Sequence, residues 1–338
     1  MKRGRRELNT DYTKNPLTVT SPPHLKNPET TGSIMTDVTV ALIPAAAWGV
    51  YVFGWRALAI MLVSVISAVV FEALYQFFMN VPVTVKDGSA VVTGLLLAMC
   101  LPVAVPLWMP VIGSFFAIVV VKQLFGGIGK NVVNPAIAAR IFLFLAWPKQ
   151  MAFYTAPKTV LPVFGSVDQA DIVASATPLA ALKNGQMPVD GLYDTVLGNI
   201  GGCIGEVSAL LLALGGLFLL VRGTIRLHIP LAYIGTVALL SLLFPQAEPT
   251  WRFVAYEIFG GGLMLGAFFM ATDYVTSPVT KLGRVIYGIG CGVITVVIRY
   301  FGQYPEGVSF AIMIMNLLVW YLDMYTRPSK FGGVEKKS

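Results

Sequence analysis

The sequence predicts an all-α integral membrane protein with about ten transmembrane helices. Hydrophobic residues make up 56% of the 338 residues and charged residues only 12%, about half the charged fraction of an ordinary soluble domain. The mean hydropathy is +0.73, so lipid must cover much of the apolar surface. The net charge of +7 therefore indicates orientation in a membrane and excludes a nucleic-acid reading.

Ten apolar stretches are the candidate spans: 38–55, 57–79, 89–107, 108–121, 132–147, 196–221, 229–244, 253–271, 285–301 and 308–322. Because a bilayer core of about 30 Å needs about 20 helical residues, the fourth and ninth reach that length only by including Lys122 or Arg299. Short spans with Gly or Pro are either broken helices that line a site or ordinary helices with snorkelling ends. Both readings remain open.

Lys and Arg are distributed unevenly between the predicted loops. With the N-terminus in the cytoplasm, segments on the cytoplasmic side hold 17 of the 24, outer segments hold 6, and Arg140 lies within a span. This positive-inside bias predicts a multi-pass protein of the cytoplasmic (inner) membrane with both termini in the cytoplasm. The predicted parts are a cytoplasmic segment (1–37), a transmembrane repeat (38–147), an external loop (148–195), a second transmembrane repeat (196–322) and a cytoplasmic tail (323–338).

The two halves of the chain resemble each other weakly. The segment that begins at Gly94 is similar to the one at Gly266, and the segment at Phe125 is similar to the one at Phe301. Five spans in each half would turn the halves upside down relative to each other, as in many transporters and channels. We therefore expect two inverted five-helix repeats; chance likeness between glycine-rich segments is the alternative.

The residues that hold redox metals are scarce. Cys100, Cys203 and Cys291 are each isolated in an apolar stretch, so no zinc or iron–sulfur site is predicted. His24 and His228 lie outside the apolar stretches, which excludes a haem held between two intramembrane histidines. Any redox chemistry must therefore use an organic cofactor.

Three carboxylates, Glu72, Glu206 and Glu257, lie inside predicted spans. A charge in this position is costly and faces a partner or water. These residues either belong to a cation pathway or form interfacial contacts and ion pairs with Arg140 or Arg299.

The external loop contains the most informative segment, Asp171-Ile-Val-Ala-Ser-Ala-Thr177-Pro-Leu-Ala-Ala-Leu-Lys-Asn-Gly185. Thr177 before Pro178 indicates a helix N-cap followed by proline at the first helical position, and Gly185 ends the helix. A phosphate ester on Thr177 would lie among free backbone N–H groups at the positive end of the helix dipole. The alternative is a threonine that only caps the helix.

This segment resembles the flavinylation site of the family that contains the D subunits of Rnf electron-transport complexes and the B subunits of sodium-translocating NADH:quinone reductases. The family pattern is Asp-x-x-Ser/Thr-Gly-Ala-Thr, with FMN joined through its phosphate to the final threonine. Asp171, Ala176 and Thr177 match it, whereas Ala174 and Ser175 replace Ser/Thr and Gly. The resemblance implies covalent FMN on Thr177, with Asp171 and Ser175 in the recognition motif and no catalytic residue.

Three other segments extend the resemblance over residues 80–323. They are the glycine-rich loop from Gly126 to Asn134-Pro135-Ala136, the segment from Met270 to Pro278, and the segment from Tyr304 to Ala311. No strand precedes the glycine-rich loop and no Gly-Lys-Ser/Thr follows it, so it predicts a tight turn and not a phosphate-binding loop.

The resemblance implies a membrane subunit of an ion-translocating ferredoxin:NAD oxidoreductase (Rnf) complex. Such a subunit relays electrons through FMN, coupled to sodium or proton export, and is not catalytic alone. Its expected partners are the other membrane and peripheral Rnf subunits, a flavin transferase and the lipid bilayer, and a second, non-covalent flavin (riboflavin) is a further expectation. The alternative function is a channel or secondary transporter for a small solute or ion, without a redox cofactor.

Overall fold

The computed structural model describes residues 30–165, 177–188, 191–206 and 208–327, and every regular element in these ranges is helical. In chain order the helices are α1 (Thr31–Phe53), α2 (Trp55–Phe78), α3 (Ser89–Met99), α4 (Trp108–Phe115, continued as a π-helix over Phe116–Gln123), α5 (Pro135–Ala146), α6 (Pro178–Lys183), α7 (Leu192–Leu197), α8 (Ala209–Val221), α9 (His228–Leu243), α10 (Thr250–Phe259), α11 (Leu263–Leu265, continued as a π-helix over Gly266–Met270), α12 (Lys281–Phe301) and α13 (Val308–Thr326). Single helical turns lie at Val85–Asp87 and Pro148–Met151.

Several helices have the length and composition of membrane spans. Four helices, α1, α2, α12 and α13, are each long and apolar enough to cross a membrane. The bent pair α10 and α11 is also long and apolar enough when its two helices are counted as one span. The apolar helices α3, α4, α5, α8 and α9 are shorter. The prediction of an all-helical, multi-pass membrane protein is therefore confirmed.

The helix bundle has two distinct ends. At one, which we name the termini end, the Arg222 guanidinium pairs with Asp37 at 3.0 Å and joins the end of α8 to the first turns of α1. At the opposite end, which we name the loop end, the described residues between 147 and 208 pack onto the bundle; the Lys158 backbone N–H donates to the Val52 carbonyl at 2.9 Å. The described part of the long loop therefore packs against the helices.

The stretch 89–107, predicted as one span, is helical only up to Met99. The residues that follow are buried but not helical, because Pro102 and Pro106 have no N–H to continue a helix. The guanidinium of Arg56 donates to the freed carbonyls of Val103 (2.9 Å) and Val105 (3.0 Å). The predicted continuous helix is wrong here, and a buried arginine replaces the missing backbone donors.

The stretch 253–271 is also broken. Helices α10 and α11 meet at an angle of 54°, where Gly261 (φ +62°) and Gly262 (φ +67°) adopt a left-handed conformation that glycine tolerates. The Arg299 guanidinium donates to the carbonyls of Glu257 (2.5 Å) and Gly260 (3.3 Å). The prediction of one continuous span over 253–271 is therefore wrong.

The ends of the other helices differ less from the predicted spans. Helices α4 and α12 do include Lys122 and Arg299, as their lengths required. In the stretch 196–221, helix α7 ends at Leu197 and helix α8 begins only at Ala209. Between α4 and α5, Gly126, Gly127 and Gly129 have φ of +108°, +87° and +88°, which confirms the predicted tight turn.

Three buried carboxylates, Glu72, Glu206 and Glu257, lie in ion pairs. Glu206 pairs with Arg140 at 3.4 Å and Glu257 with Arg299 at 2.7 Å, which confirms the ion-pair reading for these two carboxylates. Glu72 pairs instead with Lys122 at 2.8 Å, a partner that the sequence did not indicate. Pairing neutralises charge that would otherwise be costly inside lipid.

The Glu72–Lys122 pair provides a test of this packing. In Lys122→Met the Glu72 carboxylate keeps only its amide partners Gln76 and Gln123, so we expect the free energy of unfolding in detergent to fall by about 3–5 kcal/mol. The double variant Glu72→Leu/Lys122→Met removes both charges and should recover most of that loss.

The control for this test is Arg222→Gln, which breaks a pair whose arginine side chain is 56% exposed. It should change the free energy of unfolding by less than about 1 kcal/mol. A Lys122→Met protein as stable as this control would contradict the assigned role of the buried pair.

Candidate functional site

Thr177 lies at the start of the short helix α6. Its Oγ accepts a hydrogen bond from the Ala180 N–H at 3.3 Å, Pro178 occupies the first turn, and Gly185 follows the helix with φ +71°. The predicted capped helix is confirmed. The other two residues of the predicted motif, Asp171 and Ser175, lie outside the described residues.

Helix α6 is fixed to the bundle at the loop end. Its Leu179 and Leu182 are buried against Phe253 and Tyr256 of α10. The Lys183 ammonium donates to the Gly302 carbonyl at 2.5 Å, just beyond the end of α12. The position of Thr177 is therefore set by apolar packing on one side and by a charged contact on the other.

Thr177 borders a cavity of about 220 Å³. Its aromatic wall consists of Phe144, Tyr304 and Phe310: the Phe144 and Tyr304 rings meet edge to face with centroids 4.6 Å apart, and Tyr304 and Phe310 are nearly parallel at 6.4 Å. The rest of the lining is formed by Arg140, Ile141, Ala152, Tyr154, Ala180, Pro305, Glu306 and Ser309. The cavity is therefore largely apolar with one polar side.

The guanidinium of Arg140 organises that polar side. It donates to the Ser309 hydroxyl at 2.7 Å, to a carboxylate oxygen of Glu306, and to Glu206 at 3.4 Å. The hydroxyl of Tyr154 donates to the other Glu306 oxygen at 3.0 Å. Burial and the nearby Glu306 carboxylate raise the pKa of Tyr154 well above its usual value, so its hydroxyl keeps the proton that it donates.

Cys203 also belongs to this cluster. Its sulfur lies 3.6 Å from Nη2 of Arg140, and the ligand atoms of Cys203, Glu206 and Glu306 are all within 4.8 Å of one another. Such spacing resembles that of metal ligands, but the Arg140 guanidinium contacts all three groups and supplies the positive charge. The arrangement is an ion-pair cluster, in which the Cys203 thiol is buried and free.

Sequence reasoning missed two members of the site. Glu306 was noted only inside a family segment, without a role, and Tyr154 was not singled out. Their contacts join positions 166 and 152 residues apart, so no local pattern could have indicated them. The two carboxylates facing one guanidinium were equally invisible in the sequence.

The site can hold a flat aromatic group attached at Thr177. Aromatic side chains offer ring faces and edges to a planar ligand, and the polar side offers hydrogen-bonding groups at one edge. A hydroxyl at the rim provides an attachment point. These are properties of a cavity for a tethered cofactor.

Comparison with known proteins identifies the relatives of the chain. Residues 18–332 match the NQR2, RnfD, RnfE family. The chain is 47% identical over 324 residues to the D subunit of the Na⁺-translocating ferredoxin:NAD⁺ oxidoreductase complex of Acetobacterium woodii, with 95% of this chain and 97% of that protein covered. It is 42% identical over 334 residues (94% and 97% covered) to the D subunit of the proton-translocating ferredoxin:NAD⁺ oxidoreductase complex of Clostridium ljungdahlii.

A third relative is the D subunit of the ion-translocating oxidoreductase complex of Stutzerimonas stutzeri, 41% identical over 326 residues, with 88% of this chain and 91% of that protein covered. With this identity over nearly the full length, the chain belongs to the NQR2, RnfD, RnfE family.

Proposed function

We propose that this chain is the D subunit of an ion-translocating ferredoxin:NAD⁺ oxidoreductase complex and relays electrons through FMN joined by its phosphate to Thr177. The names of the relatives at 47% and 42% identity support the complex and its coupling to sodium or proton export. The observation that carries the flavin is the position of Thr177 at the rim of an aromatic cavity.

The residues of the cavity fit an FMN. A volume of about 220 Å³ is below the usual range of about 300–1,000 Å³ for small-molecule pockets. Thr177 would hold the phosphate of an FMN, and Phe144, Tyr304 and Phe310 would contact its ring system. Bound flavin would supply the exchange of one or two electrons, and the protein supplies position and electrostatics.

The side chains of the cavity then have separate tasks. Phe144, Tyr304 and Phe310 bound the ring system and exclude water. Arg140, held by Glu306 and Ser309, keeps a positive charge at the polar side of the cavity. Thr177 forms the covalent link, which a separate flavin transferase would make.

The chain is proposed to be catalytic only as part of its complex. NAD would bind to another subunit, because the sequence contains no dinucleotide-binding motif of the Gly-x-Gly-x-x-Gly type after a strand. The other membrane and peripheral subunits of the complex are therefore its expected partners, together with the lipid bilayer.

The proposed orientation places the loop end outside the cell and both termini in the cytoplasm. The distribution of charge supports it. Basic residues of the termini end are Lys86, Lys130, Arg222, Arg226, Lys281 and Arg284, whereas the cavity and Thr177 lie at the loop end. The flavin on Thr177 would thus face the outer side of the inner membrane.

The proposed architecture is ten spans in two inverted repeats. In each half, a helix (α3 or α11) starts directly after a left-handed glycine, Gly88 or Gly262. A cation from the next helix lies near each glycine: Lys122 donates to Ser89 at the start of α3 at 2.6 Å, and Arg299 donates to the Gly260 carbonyl at the end of α10. These matched features support the repeat that the sequence predicted.

A second, non-covalent flavin is part of the proposal, without an assigned site. A cavity at the termini end, beside Lys122, Asn131 and Asp273, has a volume of about 80 Å³. It is smaller than the cavity beside Thr177, so side chains would have to move before it could hold a ring system.

The alternative function is a channel or secondary transporter without a redox cofactor. Broken helices and inverted repeats are also found in transporters. Under that alternative, Thr177 only caps α6, and its position at the rim of an aromatic cavity has no further task. The covalent flavin is what separates the two functions.

The covalent link can be tested on the purified, denatured subunit. When the chain is produced with its flavin transferase, we expect a fluorescent band under ultraviolet light for the wild type and none for Thr177→Ala, because the alanine has no hydroxyl to esterify. Thr159→Ala, in the same loop, is the matched control and should keep the fluorescence.

A dark wild-type band in the presence of the transferase would favour the transporter. Persistent fluorescence in Thr177→Ala would place the flavin on another residue. Either result contradicts the proposed attachment.

The orientation can be tested by cysteine labelling in intact cells. Val160 is 97% exposed at the loop end, so Val160→Cys should react with a membrane-impermeant maleimide added outside. Lys86→Cys, exposed at the termini end, should react only after the membrane is permeabilised. The native Cys100, Cys203 and Cys291 are buried and should give little background; the opposite pattern would reverse the topology.

A further inference from the structure

A polar cleft of about 280 Å³ lies at the termini end, where α9 and α12 begin. Two guanidinium groups face it, from Arg226 just before α9 and from Arg284 in the first turn of α12. Its other lining residues are Gly223, Thr224, Ile225, Ile229, Thr272, Tyr274, Ser277, Pro278 and Val279. None of these residues lines the cavity beside Thr177.

Among the described residues, no carboxylate forms an ion pair with the two arginines of the cleft. In the described part of the chain, neither Arg226 nor Arg284 lies within ion-pair distance of a carboxylate; Arg284 Nε donates to the Pro278 carbonyl at 2.9 Å. The nearby Asp323 accepts from the Val279 N–H at 3.0 Å. Asp37, also at this end, is paired with Arg222, so within the described ranges the two arginines share the cleft without an ion-pair partner.

The helices around the cleft add to this positive potential. Helices α9 and α12 are parallel, because Gly288 faces Ile229 and, one turn further along, Gly292 faces Tyr233. Both helices therefore begin side by side at the cleft, and neither has an acidic residue in its first turn. Cations at helix N-termini are unfavourable, so a bound anion would relieve the repulsion between like charges.

We propose that this cleft binds a phosphate ester, supplied by the headgroup of an anionic phospholipid. Two guanidinium groups and the Ser277 hydroxyl offer the donors that phosphate oxygens accept. Basic pockets between transmembrane helices at the cytoplasmic side are a general mode of headgroup recognition. The proposed orientation puts the cleft at the inner leaflet.

The surface beside the cleft favours a lipid over a soluble phosphate. Apolar side chains continue from the cleft along both helices: Leu227 is 49% exposed, Leu231 64%, Leu282 60% and Ile286 39%. They form an apolar path on which acyl chains can lie while the phosphate contacts the arginines. Phosphate binding at this site depends neither on the flavin nor on electron transfer.

The test is binding of phosphatidylglycerol to the purified full-length chain in detergent, measured by native mass spectrometry and compared with phosphatidylcholine and with inorganic phosphate. We expect the wild type to prefer phosphatidylglycerol, and Arg226→Gln/Arg284→Gln to bind it at least about tenfold more weakly, a loss of about 1.4 kcal/mol or more.

The matched control is Lys86→Gln/Arg327→Gln, which removes two exposed charges from the same end of the bundle but none from the cleft. It should bind phosphatidylglycerol like the wild type. Equal losses in both double variants, or no loss in Arg226→Gln/Arg284→Gln, would overturn the site. Competition by inorganic phosphate at the same concentration as the lipid would overturn its assignment to a lipid.

Discussion

The buried guanidinium of Arg140 is the contact on which the loop end depends. It links α5 to the start of α13 through Ser309 and Glu306, and to the segment before α8 through Glu206. Removing the Arg140 guanidinium would leave the buried carboxylates of Glu206 and Glu306 without a counter-charge. The free-energy cost of that loss is larger than the net stabilisation that the intact ion pairs provide. The polar side of the cavity beside Thr177 exists because this single cation holds three parts of the chain together.

The same constraint explains features elsewhere in the bundle. Lipid supplies no hydrogen bonds, so charges and freed backbone groups must find partners inside the protein. Arg56 satisfies the carbonyls of the non-helical residues after α3, and Arg299 satisfies those at the bend between α10 and α11. Broken helices are tolerated at these points because a buried arginine takes over the role of the missing N–H groups.

The sequence predicted features that depend on near neighbours. The cap at Thr177 followed by Pro178 was predictable because capping is decided within a few residues, and the ion pairs of Glu206 and Glu257 were one of the readings considered. The helix limits after Met99 and at Gly260 were missed, since hydropathy does not register a change of backbone direction inside an apolar stretch. Glu306 and Tyr154 were missed because their partners come from distant segments. The inverted repeat stays a proposal, supported by Gly88 and Gly262.

The central claim is that Thr177 carries FMN through a phosphoester, and peptide mass spectrometry tests it most directly. Trypsin releases residues 159–183 as one peptide, because no Lys or Arg lies between Lys158 and Lys183. In protein produced with its flavin transferase, the peptide should be heavier by the mass of FMN minus one water, with fragment ions that assign the addition to Thr177. An unmodified peptide from the native complex, or an addition on another residue, would contradict the account.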